Sequence, residues 1–283
     1  MELKKRILNF SIFYKINLIR WQLIHLYWNL IWFFLKKSKE KWKRVELPNI
    51  TIGVVTYVNR YDNFFKPLIE KLSISFPNNQ IIVCVNGYYD EKIQKTYLEK
   101  ISSYVNQFEN VKLVEFERPQ SLSKLWNILV NKSLTTKTLI LNDDINISNN
   151  FSKNIVDSKI NEMLFTLINR SWSHFLISKD IFKTVGHFDE GFPGVGNEDE
   201  DYETRMKFKN INVVNTKLSG LRNISFQTKD FSYGQNVEVS NKKYSKPNQD
   251  YFNSKWLLCS KKEEGSKFVE ILNCYVKKNI RNV

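Results

Sequence analysis

Seven carboxylates fall within fifteen residues of the stretch GHFDEGFPGVGNEDEDYETR (186–205): Asp189, Glu190, Glu198, Asp199, Glu200, Asp201 and Glu203. The chain around them has a formal net charge of +14, so the cluster does not reflect an acidic composition. Like charges this close repel unless something offsets them. Helix-start chemistry accounts for part of the cluster. Asn197 is placed to cap a helix and Glu200, three residues on, completes a capping-box spacing. Acids in a first turn gain about 0.3–1 kcal/mol each against the helix dipole, and Glu203 and Lys207 stand at i,i+4. None of this explains GHFDEGFPGVG. Gly194 and Gly196 leave little bulk just before the acids, so a ligand can approach the backbone where a helix start aims its N–H groups. Glycines followed by carboxylates suit holding a polyhydroxyl substrate while one carboxylate takes its proton. A second acidic point lies at TLILNDDINI (138–147), where a strand runs straight into Asn142, Asp143 and Asp144.

Elements of regular structure must carry both points. ITIGVVTYV (50–58) is a short β-branched run of the kind found in buried parallel strands. QIIVCVNG (80–87) reads as a second strand, VKLVEFE (111–117) as a third and 138–147 as a fourth. Between them FFKPLIEKLSISF (64–76), residues 90–108 and SLSKLWNILVNKS (121–133) have helical spacing. Strand alternating with helix predicts an α/β domain with a mainly parallel sheet covered on both faces. Its ligands belong beyond the carboxyl ends of the strands, where Thr56, Asn59, Arg60, Asn86, Asn142, Asp143 and Asp144 fall. Neither a Gly-x-Gly-x-x-Gly after the first strand nor a Gly-x4-Gly-Lys-Ser/Thr is present, so the main signals for dinucleotide and P-loop sites are missing. The second half is less regular. Residues 175–190 read as a strand, a helix and a turn, a helix follows Asn197 to about Lys209, INVVN reads as a strand, and loop dominates from Lys217 to YFNSKW.

Several segments, in order over about residues 50–256, resemble glycosyltransferases of the GT-A fold, above all inverting enzymes of glycosyltransferase family 2 with a galactosyltransferase-type C-terminal motif. Gly-x-Phe-Asp-Glu-x-Phe followed by Gly-x-Glu-Asp-x-Asp resembles the acceptor-side motif. VVTYVNRYDN is similar to the first-strand nucleotide loop, SLSKLWN to the helix before the metal motif, LILNDDINI to the Asp-x-Asp region and YFNSKW to a C-terminal Phe-x-x-Lys-Trp. The resemblance implies a GT-A (nucleotide-diphospho-sugar transferase) fold and transfer of a hexose or N-acetylhexosamine from a UDP-sugar to a glycan or glycolipid. A divalent Mn2+ or Mg2+ ion would offset the charge of the departing diphosphate. On this reading Asp144, with Asp143 and Asn223, would hold the metal. Thr56, Tyr57, Asn59, Arg60, Asn86, Lys124, Asn127, Asn142 and Asp143 would face the donor. Gly194, Gly196 and Glu198 would meet the acceptor, and Asp199 would be the general base, with Glu198 orienting the acceptor hydroxyl. Glu200 and Asp201 are left as structural. Asn142 replaces a more usual Asp and no late His is present, which also leaves room for a binding module with a degenerate site.

The positive charge is concentrated in the first 44 residues, which hold eleven Lys/Arg against Glu2 and Glu40. Residues 7–35 are rich in Phe, Trp, Tyr, Ile and Leu, but Lys15, Gln22, Asn29 and Lys36 recur every seven residues. This pattern predicts an amphipathic helix lying in a membrane interface with its lysines near lipid phosphates. A helix docked on the domain or on a second copy of the chain is the alternative, and mid-span charge at roughly 2.5–3.5 kcal/mol argues against a true span. The organisation expected is therefore a basic helical arm and linker (1–47), a catalytic domain (48–256, its nucleotide half 48–147 and acceptor half 148–256) and a tail (257–283). Cys84, Cys259 and Cys274 show no paired or metal-ligand spacing, which favours a reducing compartment. The expected location is the cytoplasmic face of a membrane. With the arm set aside little excess charge remains, so nucleic acid is not an expected partner.

Overall fold

A computed structural model describes residues 42–224 and 241–256. The expected arm, apart from its last residues, and the tail lie outside that range. The compact body begins at Lys43. The Val45 amide donates to the Ser75 carbonyl at 2.8 Å, the Ser152 hydroxyl donates to the Lys43 carbonyl at 2.9 Å, and Leu47 is buried.

The expected mixed α/β architecture is present. β1 (Ile50–Thr56), β2 (Ile81–Val85), β3 (Val111–Glu115), β4 (Lys137–Asn142), β6 (Phe165–Ile168), β7 (Ser171–Ser178) and β8 (Asn215–Thr216) form one sheet in the order β3-β2-β1-β4-β7-β6-β8. Pairing is parallel except where β7 runs antiparallel between β4 and β6. Every residue of β1 and β2 is buried, the mark of central strands covered on both faces.

The helices start where short polar side chains satisfy free amides. The Asp90 carboxylate accepts from the Ile93 amide at the start of α2 (Glu91–Val105), and the Ser121 hydroxyl accepts from the Lys124 amide at the start of α3 (Leu122–Lys132). α1 (Lys66–Ser75) has Pro67 in its first turn and is entered through a π-helical turn, Tyr61–Phe65. α3 lies across β1, β2 and β4. There Leu125, Trp126 and Leu129 join Val55, Cys84, Ile140, Phe175 and Phe188 in one core cluster. A side chain at Gly53 would meet Leu129 at 3.0 Å, so the absence of a Cβ lets the helix sit this close to β1.

Two features depart from expectation. The fourth strand does not run to residue 147. It ends at Asn142, and after a turn at Asp143–Asp144 the chain continues as β5 (Ile145–Ile147), which pairs antiparallel with β9 (Leu221–Asn223) in a separate ribbon. The polar pair therefore marks a change of sheet. Residues 148–170 also hold α4 (Phe151–Asp157) and β6, which pattern reading left unassigned. They are short, and β6 is buried without alternation.

His174 on β7 is 3% exposed, and neither ring nitrogen has a hydrogen-bond partner among the described residues. Burial pushes its pKa down to about 4, so between about 6.5 and 4 the unfolded chain binds the extra proton. Stability should be intact above about pH 6.5 and fall by on the order of 3 kcal/mol as pH drops to about 4. Urea unfolding across that window should show this slope in the parent and a flatter one in His174→Leu.

Candidate functional site

The carboxyl ends of β1, β2 and β4 open into one cleft. Val55, Thr56, Tyr57, Arg60, Asn86 and Asn142–Asp144 line one side. Gln120, Leu122, Leu125, Gly194 and Val195 complete it. The strand tip at 142–144 and the glycine loop before the acidic helix thus share one cavity. The Leu122 amide donates to the Gly194 carbonyl at 2.8 Å and fixes that loop to the start of α3.

The floor is a buried ionic knot. Arg60 is 2% exposed and grips Asp143 in a fork, Nη2 to Oδ1 at 2.6 Å and Nε to Oδ1 at 2.9 Å. Nε also reaches Asp143 Oδ2 at 3.1 Å, and the Thr56 hydroxyl donates to that oxygen at 2.7 Å. Thr56 in turn shares a hydrogen bond with the Tyr97 hydroxyl at 3.0 Å. Arg60 Nη2 lies 3.2 Å from Asp144 Oδ2, and its guanidinium lies 4.9 Å from the Tyr57 ring and 4.2 Å from that of Phe64. Burial alone would lower the pKa of Arg60, but the charge and hydrogen bonds of Asp143 reverse this and raise it. Burial raises the pKa of Asp144, opposed by the Arg60 charge. Asn223 Nδ2 faces Asp144 Oδ1 at 3.3 Å. Asn142 Oδ1 is buried with no partner.

Arg60 borders the cleft, and its guanidinium is engaged by the two aspartates. Asn59 is exposed, absent from the cleft wall and in the left-handed region at φ 67°, in the turn after β1. Asn86 spends its amide on Gly87 and on both backbone groups of Gln120. Asn127, 2% exposed, accepts from the Phe188 amide at 2.8 Å and donates to the Phe188 carbonyl and to Glu190 Oε1, both at 2.9 Å. It ties α3 to the acidic segment. Thr56 and Tyr57 line the cleft as expected. Lys124 belongs to an adjoining outer pocket with Tyr89, Glu190 and Tyr244, which pattern reading did not single out.

Asn197 does not cap the helix. It sits at φ 65° with no capping side-chain bond and donates to Glu200 Oε2 at 3.0 Å. Glu198 and Asp199, which open α6 (Glu198–Phe208), turn back on the backbone. Glu198 Oε2 accepts from the Gly196 amide at 2.5 Å and Asp199 Oδ1 from the Glu200 amide at 2.9 Å. Glu198 is 4% exposed, and burial, reinforced by the Asp199 charge, pushes its pKa up to about 7. Burial also raises Asp199, against its backbone hydrogen bonds. Gly194 and Gly196 have φ of 63° and 124°, and a Cβ on Gly194 would lie 2.2 Å from the Tyr244 ring. Asp189 and Asp201 are held by α7 (Asn241–Trp256). Lys255 Nζ reaches Asp201 Oδ1 at 2.7 Å and Asp189 Oδ2 at 2.6 Å, and Trp256 Nε1 donates to Asp201 at 2.8 Å. Arg205 Nε takes the other Asp201 oxygen at 2.9 Å. Asn248 donates to the carbonyls of Pro193 and Gly196. Asp201 is thus fully engaged within the fold, and the Lys-Trp of YFNSKW is its partner. The expected Glu203–Lys207 pair is loose, at 3.9 Å.

Among the described residues no group of three or more His, Cys, Asp or Glu is arranged to hold a metal ion. At the strand tip the Asp144 oxygens meet the side chains of Asn223 and Arg60, and Asn142 Oδ1 is buried without a partner. Hard oxygen ligands of this kind suit Mg2+ or Mn2+ when substrate phosphates complete the shell. Asp143 does not belong to that set, because Arg60 and Thr56 occupy both its oxygens. Asn223 sits beside Asp144 with its amide nitrogen toward it.

No model of a known protein family matches the chain, and no curated protein does. Among solved structures, S. aureus TarS is 16% identical over 60% of this chain and 35% of its own, with a TM-score of 0.46. The mannosyltransferase PcManGT from Pyrobaculum calidifontis, in complex with GDP-Man and Mn2+, is 12% identical over 78% of this chain and 70% of its own, at 0.47. GalNAc-T7 with UDP, GalNAc and Mn2+ is 12% identical over 82% and 55%, at 0.46. The chain therefore spans about a third of the first of these proteins. At such identity and overlap, the site rests on its own geometry.

Removing the Lys255 clasp tests how the acidic segment is held. Lys255→Met leaves Asp201, which is 0% exposed, with less compensation. It should cost about 1.5–3 kcal/mol in urea unfolding, the range for a hydrogen bond to a charged group.

Proposed function

We propose that this domain is an inverting glycosyltransferase that moves a sugar from a nucleotide-sugar donor, a UDP-hexose or UDP-N-acetylhexosamine, to a hydroxyl of a glycan or glycolipid in cell-surface polysaccharide synthesis. The observation that carries this reading is the shared cleft, with the 142–144 tip on one side and the loop leading to Glu198–Asp199 on the other. The donor lies over the ends of β1 and β4, where Tyr57 offers a ring and Asn142 an unpaired oxygen. A divalent cation, when bound at Asp144 and Asn142, supplies positive charge against the diphosphate. Arg60 and Thr56 keep Asp143 and its backbone from shifting as that charge develops.

Asp199 takes the proton of the acceptor hydroxyl as its oxygen attacks the anomeric carbon from the face opposite the diphosphate, which inverts that carbon. Glu198 holds the glycine loop through the Gly196 amide, and its ionised form is the stronger acceptor of that bond. The outer pocket, with Tyr89 and Tyr244 beside Glu190 and Lys124, adjoins this side and suits an acceptor sugar ring. The basic residues of the first 44 positions would bring the domain to the cytoplasmic face of a membrane. A nucleotide-binding module without turnover is favoured by one feature, the amide of Asn142 where a charged ligand would serve better.

Nucleotide release from a panel of UDP-sugars with Mn2+ tests the reaction. Asp199→Asn should lower kcat/KM by about 10²–10⁴-fold, and an unchanged rate would show that the base has been misassigned. Since the pKa of Glu198 is pushed up to about 7, kcat/KM should rise with pH through that value, and Glu198→Gln should remove the limb. Binding of donor without release would favour the module. Flotation with anionic vesicles should carry the full chain and not a chain starting at Lys43.

A further inference from the structure

We propose that Asn248, on α7, is a positioning residue for the transfer reaction. It holds the Gly194–Asn197 loop and so sets the direction in which the backbone enters α6, where Glu198 and Asp199 stand. The inference rests on the nucleotide-sugar reading above and adds a residue that acts on it from behind the cleft. Tyr244, Asn248, Tyr251 and Lys255 recur along α7 at steps of four, three and four, which puts them on one face of the helix. That face is spent on the acidic segment. A Cβ on Gly191 would lie 2.4 Å from the Tyr251 hydroxyl, one on Gly194 2.2 Å from the Tyr244 ring and one on Gly196 3.5 Å from Asn248 Nδ2. Each glycine of GFPGVG thus faces one residue of the α7 stripe, and the first two leave the room that its tyrosines fill.

Asn248 is 0% exposed, so it meets no substrate. Its Nδ2 donates to the Pro193 carbonyl at 3.0 Å and to the Gly196 carbonyl at 2.7 Å, which uses both protons of the amide. Those carbonyls bracket Gly194 and Val195, which line the cleft. The loop follows a left-handed path that Gly and Asn tolerate, with φ of 63° at Gly194, 124° at Gly196 and 65° at Asn197. Two other ties reach it. The Gly194 carbonyl accepts from the Leu122 amide, and the Gly196 amide donates to Glu198 Oε2. Without Asn248 the tie to α3 remains, but nothing from α7 fixes the Gly196 carbonyl, two residues before Glu198.

The test uses the full chain and the UDP-sugar that it turns over in the panel above. Asn248→Asp keeps the size of the side chain and removes the amide protons. It should lower kcat by about 10²-fold, the cost of an ångström-scale misplacement, and leave KM for the UDP-sugar within about twofold, because the donor wall is untouched. Asn248→Ala should do the same. Ile155→Val trims a buried side chain of α4, outside the cleft wall, and should keep the parent kcat. An unchanged kcat in a folded Asn248 variant would overturn the inference. So would an equal loss in Ile155→Val, or a loss of kcat/KM carried by KM for the UDP-sugar. If neither Asn248 variant folds, hydrogen exchange of the parent decides. Residues 193–197 should exchange no faster than 244–256, and exchange of the loop well ahead of that helix would overturn the inference. A parent that releases nucleotide from no UDP-sugar would overturn the nucleotide-sugar reading and the inference together.

Discussion

The fork between Arg60 and Asp143 sets what the rest of the cleft can be. It joins the turn after β1 to the tip of β4, two points 83 residues apart in the chain, and does so with both partners out of water. A buried pair of this kind is costly to break, because either partner alone would be an uncompensated charge. Thr56 and Tyr97 extend the network to α2, and Asp144 and Asn223 extend it to the β5–β9 ribbon. The strand tip therefore presents Asn142 and Asp144 from a rigid base. That is the condition under which a polar group can bind a charged ligand without first reorganising.

The opposite wall is built on a different principle. Its seven carboxylates are kept together by partners drawn from several elements. Asp189 and Asp201 share Lys255, Asp201 also takes Arg205 and Trp256, Glu190 and Glu200 are held by the amides of Asn127 and Asn197, and Glu203 accepts from Trp172. Glu198 and Asp199 are answered by backbone amides. Those two are also the acids of the helix start whose pKa values rise. A carboxylate stabilised by one amide and raised by burial holds a proton far more readily than one paired with lysine, so the chemistry of the segment is concentrated at its first helical turn.

Much of the architecture could be read before any coordinates. The parallel strands at 50–56, 81–85 and 111–115 were visible as apolar β-branched runs, and the helix at 198–208 as a capped acidic start. Less visible were the short elements between 148 and 170 and the break of the fourth strand at Asp143. A run such as LILNDDINI keeps its alternation across a turn, and only pairing partners reveal that its two halves belong to different sheets. The capping box at Asn197 failed for a related reason. The left-handed backbone at that residue aims its side chain at Glu200 instead of at the helix amides.

Sequence by itself determined which residue types stand at the strand ends and at the acidic helix, because those follow from local periodicity and spacing. It also flagged Asn142, Asp144, Glu198, Asp199 and the Lys-Trp of YFNSKW as worth explaining. Only the tertiary structure decided what each polar group is spent on. Arg60, Asn86 and Asn127 make hydrogen bonds to distant parts of the chain that no local pattern foretells, while Asn142 Oδ1 is left unpaired. The reason is that a hydrogen bond is satisfied by whichever partner the fold brings within reach. For groups separated by tens of residues, that depends on the packing of the whole sheet and not on the neighbouring letters.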